Sequence, residues 1–281
     1  MLFKQLVGKY ECSFHARLTK SEKKGSIIAS TFLVGQCYKG KDFIMQLKQS
    51  NILVAGATGT IGKSIAKQLI ASGAQVFITG RNHDKLVQIA TELGLPAGQF
   101  FAADLTKAED VEALRASFFT RFSQIDVLVN ASGIGIIKSM ETLTEGEFLK
   151  TIHVNLLAPF LLVKAFLPAM KEVKKGLFIH IPGVLGKVPM AGAAAYCASK
   201  YGLTGMLQSI REEVKRTEIR FTNLYLGGVD SAFWDTIDLR VQRDKMIVAE
   251  EAARAVWFLC QQPTSGVVSE MVLQPFNHQA I

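Results

Sequence analysis

Short apolar segments that alternate with longer helical patterns constrain the fold of this chain more than any other feature. Runs such as QVFIT and DVLVN are apolar at consecutive positions, which is typical of strands covered on both faces. Alternation of such strands with helices is typical of α/β proteins. We therefore predict a three-layer α/β fold with a doubly wound parallel sheet. The predicted strands are 51–56, 75–79, 99–103, 126–130, 176–181, 220–226 and 267–273, and the predicted helices are 60–72, 82–94, 107–121, 145–173, 195–216 and 249–262.

The segment GATGTIG joins the first predicted strand to the first predicted helix. Gly56 can take the tight turn, Gly59 permits close approach of a pyrophosphate, and Gly62 lets the helix pack against the sheet. The helix N-terminus adds free N–H donors and a positive dipole end. This strand–turn–helix context predicts a dinucleotide-binding Rossmann fold, and the alternative is a tight turn without a ligand. The predicted phosphate-binding residues are Gly56, Thr58, Gly59, Thr60, Ile61 and Gly62.

Gly80 and Arg81 follow the second predicted strand. An acidic residue here would accept hydrogen bonds from a ribose 2′-hydroxyl and favour NAD(H). Glycine instead leaves space, and Arg81 offers a planar cationic fork that suits a 2′-phosphate. We therefore predict NADP(H) as the cofactor, with Arg81 in its binding site. The alternative is that Arg81 is a solvated residue at a helix start.

Tyr196 and Lys200 stand four residues apart in a helical segment, so both lie on one helix face. An ammonium group near a phenol favours the phenolate and is expected to lower the pKa of the tyrosine. Such a tyrosine can donate a proton to a carbonyl oxygen or remove one from an alcohol. The pair therefore predicts an acid–base centre.

These motifs resemble those of the short-chain dehydrogenase/reductase family, and the resemblance covers about residues 48–275. It implies that Tyr196 and Lys200 are the catalytic pair, and that Asn155 organises a proton-relay water. It also implies the strand order 3-2-1-4-5-6-7, and dimers or tetramers that associate through helices 145–173 and 195–216. Further cofactor contacts implied by the resemblance are Asp104 and Leu105 at the adenine, the strand end Asn130, Ala131 and Ser132, and the nicotinamide segment with Gly227, Val229 and Ser231.

The main departure from the family is Gly183, which stands thirteen residues before Tyr196, where the family has a serine that holds the substrate oxygen. Loss of one such donor typically slows a reaction about 100- to 1000-fold. A water molecule, a substrate hydroxyl or Ser132 could replace it. The nearby His180 is interpreted as a packed strand residue, and the alternative is a replacement acid. In addition, Thr60 occupies a position where the family usually has glycine.

The leading functional prediction is an NADP(H)-dependent oxidoreductase that transfers hydride to or from a carbonyl or alcohol of a small, mostly apolar substrate. Phe233 and Trp234 either close over that substrate or pack in the core. The alternative is a non-catalytic NADP(H)-binding scaffold or redox sensor, which Gly183 favours. The enzyme is favoured by the joint presence of Asn155, Tyr196 and Lys200.

The charge of the chain is uneven along its length. Residues 1–44 contain eight Lys and Arg against three Asp and Glu, which leaves +3 of the total net charge of +8 for the rest. We interpret 1–44 as a basic N-terminal extension that is poorly ordered or loosely docked, with a strand-like run at 26–34, and 45–281 as a single Rossmann domain. The alternative is that the extension tethers the domain to an assembly or an anionic surface.

Several function classes are not supported by the sequence. The main domain shows no basic stripe with interleaved aromatics, so we predict no nucleic-acid partner. No uninterrupted apolar run reaches the ~18–20 residues that span a bilayer, and the N-terminus lacks a secretory signal. The four cysteines and five histidines are dispersed, so we predict reduced thiols, no metal site and a cytoplasmic location.

Overall fold

A computed structural model of the protein describes residues 47–237, 239–263 and 265–277. Its strands are β1 (Asn51–Ala55), β2 (Gln75–Gly80), β3 (Phe100–Ala102), β4 (Val127–Asn130), β5 (Lys175–His180), β6 (Glu218–Leu226) and β7 (Glu270–Leu273). Its helices are α1 (Thr60–Ala71), α2 (His83–Glu92), α3 (Ala108–Phe119), α4 (Glu145–Ile152), α5 (Ala158–Val173), α6 (Ala194–Val214) and α7 (Ala249–Leu259). The predicted extension 1–44, with its strand-like run at 26–34, lies outside the described residues.

The seven strands form one parallel sheet in the order β3-β2-β1-β4-β5-β6-β7, which confirms the predicted fold and strand order. β1 pairs with β2 on one side and β4 on the other, and Ala55 is in register with both Thr79 and Asn130. The chain winds outward in opposite directions from β1 and β4. Because ligands of such sheets bind where the winding direction reverses, the carboxyl ends of β1 and β4 position the candidate site.

Helices cover both faces of the sheet, as the consecutive apolar residues of the strands predicted. Alternate residues of β1 illustrate this division, because Val54 packs in the cluster that includes α1, α2 and α7, whereas Leu53 packs in the cluster that includes α3, α5 and α6. In the second cluster the fully buried ring of Phe118 lies 5.5 Å from that of Phe77 and 5.7 Å from that of Phe166. Both clusters hold the strands rigidly, so their carboxyl ends have fixed positions.

The predicted helix 145–173 consists of α4, a π-helical segment (His153–Leu157) and α5. Thr144 begins it with a capping box, in which Thr144 and Glu147 bond each other's backbone N–H groups. By length and composition this helix could cross a membrane, with a window of mean hydropathy 1.6. Core helices pass the same test, and Phe166 and Met170 are fully buried, so the absence of a membrane span stays a prediction.

Candidate functional site

The glycine turn lies between β1 and α1 and is tightly packed. Gly56 has φ +80°, and a Cβ atom there would lie 2.7 Å from the backbone nitrogen of Ser132. A Cβ atom at Gly62 would lie 2.3 Å from the carbonyl oxygen of Gly56. The turn therefore needs glycine at both positions, whereas Gly59 has φ −87° and its nearest contact for a Cβ atom would be 3.4 Å away. Protein contacts alone therefore do not require glycine at position 59.

The N-terminus of α1 has the properties of an anion site. Gly59 is its N-cap and provides no side-chain hydrogen bond, and the first turn contains no acidic residue. The first N–H groups of a helix have no partner within the helix and carry the positive end of its dipole. Thr60 and Ile61 begin this helix, so their backbone N–H groups belong to the donors that could hold a diphosphate.

Arg81 follows the end of β2, with its side chain exposed. It makes no ion pair within the described part of the chain, so its guanidinium group is available to an anion. Asp104 accepts hydrogen bonds from the hydroxyl of Thr106 at 2.8 Å and from its backbone nitrogen at 3.1 Å. The hydroxyl bond is the main cause that lowers the pKa of Asp104, and the charge of Arg81 contributes. Arg81 and Asp104 are therefore close enough to interact, while Leu105 is buried beside them.

Asn130 ends β4 and organises the next two residues. Its side-chain oxygen accepts hydrogen bonds from the backbone nitrogen of Ser132 at 3.1 Å and from the Ser132 hydroxyl at 2.6 Å. The backbone nitrogen of Ala131 donates to Ala55, which continues the β1–β4 pairing. Because the Ser132 hydroxyl donates its hydrogen to Asn130, Ser132 is not a free donor that could replace the missing serine.

Tyr196, Lys200 and Asn155 come together behind this strand end. The ammonium of Lys200 lies 5.5 Å from the Tyr196 ring centre and donates to the carbonyl of Ile181 at 3.2 Å. Asn155 lies in the π-helical segment, bonds both backbone groups of Ile134 at 2.9 Å, and donates to Ser199 at 3.0 Å. A Cβ atom at position 133 would lie 3.3 Å from both Asn155 and Lys200, so the two side chains converge on this backbone.

Burial controls the protonation of this pair. It lowers the pKa of Lys200 to about 8. It also raises the pKa of Tyr196, to which the neighbouring Cys197 adds a smaller effect. The expectation that Lys200 lowers the pKa of Tyr196 therefore does not hold in this structure, where desolvation of the phenolate is the main cause of the shift. A neutral phenol at physiological pH is a proton donor rather than a base.

Gly183 lies beside Tyr196, as the family resemblance implied. A Cβ atom there would be 3.7 Å from the Tyr196 hydroxyl. The backbone of Gly183 has φ 72° and ψ 165°, a conformation that residues with a side chain rarely adopt. The departure from the family is thus more than a missing hydroxyl, because the local backbone has a path that suits glycine.

His180 is fully buried at the end of β5, with its Nδ1 3.4 Å from the amide nitrogen of Asn130. Burial, with smaller contributions from the charges of Lys200 and Arg211, lowers its pKa to about 3. A neutral, enclosed imidazole does not act as an acid near neutral pH. The geometry therefore supports the interpretation as a packed strand residue.

A cavity of about 710 Å³ opens in front of Tyr196. The ring of Phe233 stands 6.0 Å from that of Tyr196, edge-on, and the indole of Trp234 donates to the carbonyl of Val229 at 2.9 Å. Phe233 therefore faces the candidate centre, which favours a lid over simple core packing. The cavity wall also includes the predicted nicotinamide-contacting residues Gly227, Val229 and Ser231, and Ile61 of the turn.

Sequence reasoning missed two features of this site. The π-helical turn around Asn155 has no composition of its own, although such turns often occur at functional sites. Ser199 was also missed, although its hydroxyl joins Asn155 to the backbone carbonyl of Tyr196 at 2.7 Å. Its position between Tyr196 and Lys200 was the only available signal.

The parallel sheet, the glycine turn and the tyrosine–lysine pair define the class of dinucleotide-binding oxidoreductases. A sequence model described as "short chain dehydrogenase" matches residues 50–241. The chain therefore belongs to the short-chain dehydrogenase/reductase family.

Similar proteins and similar solved structures are consistent with this family assignment. An uncharacterized oxidoreductase of Staphylococcus epidermidis is 28% identical over 82% of this chain and 99% of its own length. Nodulation protein G of Rhizobium meliloti is 30% identical over 82% of this chain and 96% of its own length. An alcohol dehydrogenase from the archaeon Thermococcus sibiricus, complexed with 5-hydroxy-NADP, is 28% identical with a TM-score of 0.76 and covers 83% of this chain and all of its own. A metagenomic short-chain oxidoreductase in complex with NADP is 30% identical with a TM-score of 0.71, with the same coverage.

Proposed function

We propose that this protein is an NADP(H)-dependent oxidoreductase that interconverts a carbonyl and an alcohol on a small, mostly apolar substrate. The observation that carries the proposal is the convergence of Lys200 and Asn155 on the backbone at Gly133, behind Tyr196, which lines the cavity together with Ile61 of the glycine turn. The bound nicotinamide would supply or accept the hydride. The cavity walls are mainly apolar, which suits an apolar substrate.

The residues of the turn fit a dinucleotide. The backbone N–H groups at the start of α1 would hold the diphosphate, and Arg81, without an ion pair in the described structure, would bind a 2′-phosphate. The solved structures that resemble this chain contain NADP or a derivative of it, which supports the same cofactor here. We therefore propose NADP(H) rather than NAD(H).

Three side chains would have separate roles in the proton transfer. The neutral hydroxyl of Tyr196 would donate a proton to the carbonyl oxygen during reduction. Lys200, with its pKa lowered to about 8, can pass a proton toward the phenol as the phenolate forms. Asn155 holds the backbone of Ile134 and the hydroxyl of Ser199, and so keeps the helix with Tyr196 in place.

Two variants test this proposal. We expect Tyr196→Phe to remove NADPH oxidation with a panel of aldehydes, ketones, quinones and 3-ketoacyl esters, while NADPH binding persists. Tyr201→Phe is the matched control, because Tyr201 is a tyrosine of the same helix that does not line the cavity. Undiminished turnover in Tyr196→Phe would contradict the assignment of the proton donor.

Cofactor preference is tested separately. Arg81→Ala should weaken NADPH binding about tenfold or more and leave NADH binding nearly unchanged, because a charge-assisted bond to phosphate contributes about 1.5–3 kcal/mol. Fluorescence titration with both cofactors measures this. Equal losses for both would remove the argument for a 2′-phosphate site.

A second candidate function is a non-catalytic NADP(H)-binding scaffold or redox sensor. Gly183 favours it, since no side chain at that position can hold a substrate oxygen. Tight NADPH binding without turnover of any carbonyl in the panel would establish this alternative. Turnover that depends on Tyr196 would exclude it.

We also propose a homodimer or homotetramer, formed through α4, α5 and α6. Five large apolar side chains on these helices are exposed, namely Phe148, Leu149, Phe160, Val173 and Tyr201. Exposed apolar patches of this kind often mark interfaces between proteins. Sedimentation analysis should show a dimer or tetramer for the full chain and a monomer for Phe160→Glu; a monomeric full chain would contradict the proposal. We also propose that the protein is cytoplasmic.

A further inference from the structure

The wall of the cavity in front of Tyr196 combines apolar side chains with two cations. Ile137, Val188, Met190 and Trp234 are typical of its apolar part. Its charged residues are Arg240 and Lys245, and no Asp or Glu of the described chain lines it. A neutral apolar substrate gives no reason for two positive charges at such a cavity.

Two carboxylates beside this cavity are bound to a third cation, Arg243. Arg243, on the same segment, is bound by Asp230 at 2.6 Å and by Asp235 at 2.7 Å. Neither Arg240 nor Lys245 has an ion pair within the part of the chain that the structure describes, and both are exposed. Asp230 and Asp235 are thus both bound to Arg243, and the described cavity wall carries positive charge only.

Backbone contacts fix the end of the segment that carries Lys245. Val229 and Ile247 form a parallel bridge, in which Asp230 donates to Ile247 at 2.8 Å and Ile247 donates to Gly228 at 3.0 Å. The backbone nitrogen of Lys245 also donates to Gln242 at 3.1 Å. The side chain of Lys245 therefore extends from an ordered backbone near the predicted nicotinamide-contacting residues.

We propose that the substrate of this cavity carries an acidic group on an apolar body, and that Arg240 and Lys245 bind this group while Tyr196 faces the carbonyl. The inference rests on the proposed function and adds the substrate class to it. The apolar wall would cover the body of the substrate, and the charged rim would set its orientation. Arginine binds a carboxylate through two parallel hydrogen bonds, and lysine adds a point charge.

Paired substrates test this inference. The probes are methyl ketones that carry a carboxylate at the far end of chains of increasing length, each compared with its methyl ester. We expect kcat/KM for the best carboxylate to exceed that of its ester about three- to tenfold, because each exposed ion pair contributes about 0.2–1 kcal/mol. The double variant Arg240→Gln/Lys245→Gln should remove this preference, and added salt should reduce it.

Arg216→Gln is the matched control, because Arg216 is exposed next to the amino end of β6, whereas the cavity lies at the carboxyl end of this strand. It should leave the preference for the carboxylate unchanged. A similar loss in Arg216→Gln would show a bulk charge effect and would overturn the inference. Equal kcat/KM for acid and ester in the unaltered protein would overturn it as well.

Binding measurements separate this inference from the proposed function. Calorimetry with the carboxylates and esters, with and without NADP⁺, reports the anion preference even if no ketone is reduced. Preferential carboxylate binding without turnover would support the anion site and reject the proposed reaction. If the double variant weakens NADPH binding as much as carboxylate binding, the two cations serve the cofactor phosphates, and the inference fails.

Discussion

Acidification should destabilise this protein through His180 before it protonates most carboxylates. His180 is 0% exposed, and its Nε2 has no hydrogen-bond partner within the described residues. Its pKa is about 3, chiefly because burial penalises the imidazolium, and the positive charges of Lys200 and Arg211 add to this. The unfolded chain has no such penalty, so the two states bind protons at different pH.

The sign and size of the effect follow from this difference. Because the folded pKa lies below the ordinary value of 6.5, the unfolded state binds the proton first, and the free energy of unfolding falls as the pH drops from 6.5 towards 3. One pKa unit corresponds to about 1.4 kcal/mol, so the loss at His180 between pH 7 and pH 5 is about 2 kcal/mol. Carboxylates with lowered pKa, such as Glu270, contribute mainly below about pH 4.5.

Urea unfolding of the full chain at pH 7 and pH 5 measures this loss. We expect about 2 kcal/mol for the unaltered protein and a much smaller change for His180→Asn, whose amide does not titrate. His83→Asn is the control, because His83 is an exposed histidine, and it should retain the full loss. The reasoning is refuted if His180→Asn loses as much stability as the unaltered protein.

Three further substitutions test the packing of the site and of the core. Gly183→Ser should destabilise the protein by about 1–3 kcal/mol and not raise turnover, because φ at this position is 72°; thermal denaturation and NADPH oxidation check this, and a stable, faster variant would contradict it. Gly135→Ala should move the Phe233 ring away from Tyr196, since the new Cβ atom would lie 2.2 Å from Phe233 Cζ; an unchanged KM across substrates of different size would argue against the lid. Phe118→Ala should cost about 3–5 kcal/mol in urea unfolding, because the ring is fully buried, and a loss below about 1 kcal/mol would show that the aromatic cluster contributes little.

The fold was predictable because its signals are local. The consecutive apolar residues of β1 predicted burial on both faces, and Ile52, Leu53 and Val54 are indeed fully buried. The glycines of the turn marked the junction of β1 and α1 within one residue of the predicted bounds. The strand order was also predicted correctly, but that prediction came from the family resemblance and not from any local pattern.

Properties of the site that depend on tertiary surroundings were not predictable. The spacing of Tyr196 and Lys200 predicted their shared helix face, yet the direction of the shift in the pKa of Tyr196 depended on the desolvation of its phenol by surrounding residues. The sequence identified Gly183 as a missing hydroxyl, but only the backbone shows its positive φ. Likewise, only the structure shows that the Ser132 hydroxyl donates its hydrogen to the side chain of Asn130 and is not free for a substrate.

Lys200 offers a direct test of whether this site is maintained for chemistry. It is 3% exposed, and its lowered pKa of about 8 means that holding it charged at neutral pH costs about 3 kcal/mol. Lys200→Met would remove that cost and lose the hydrogen bond to Ile181, worth about 1 kcal/mol. The variant should therefore be more stable by about 2 kcal/mol at pH 7, and its turnover should be abolished.

The pH dependence makes this last prediction specific. Because the folded pKa of Lys200 lies below its ordinary value of 10.5, the cost is present in full below about pH 8 and disappears as the pH rises towards 10.5. The stability gain of Lys200→Met, measured by urea unfolding, should shrink over the same range. A variant that is less stable at pH 7 would show that the lysine supports the fold. A more stable variant with undiminished turnover would separate the buried charge from the reaction, and a stability gain together with lost turnover would show that the fold bears this cost for catalysis.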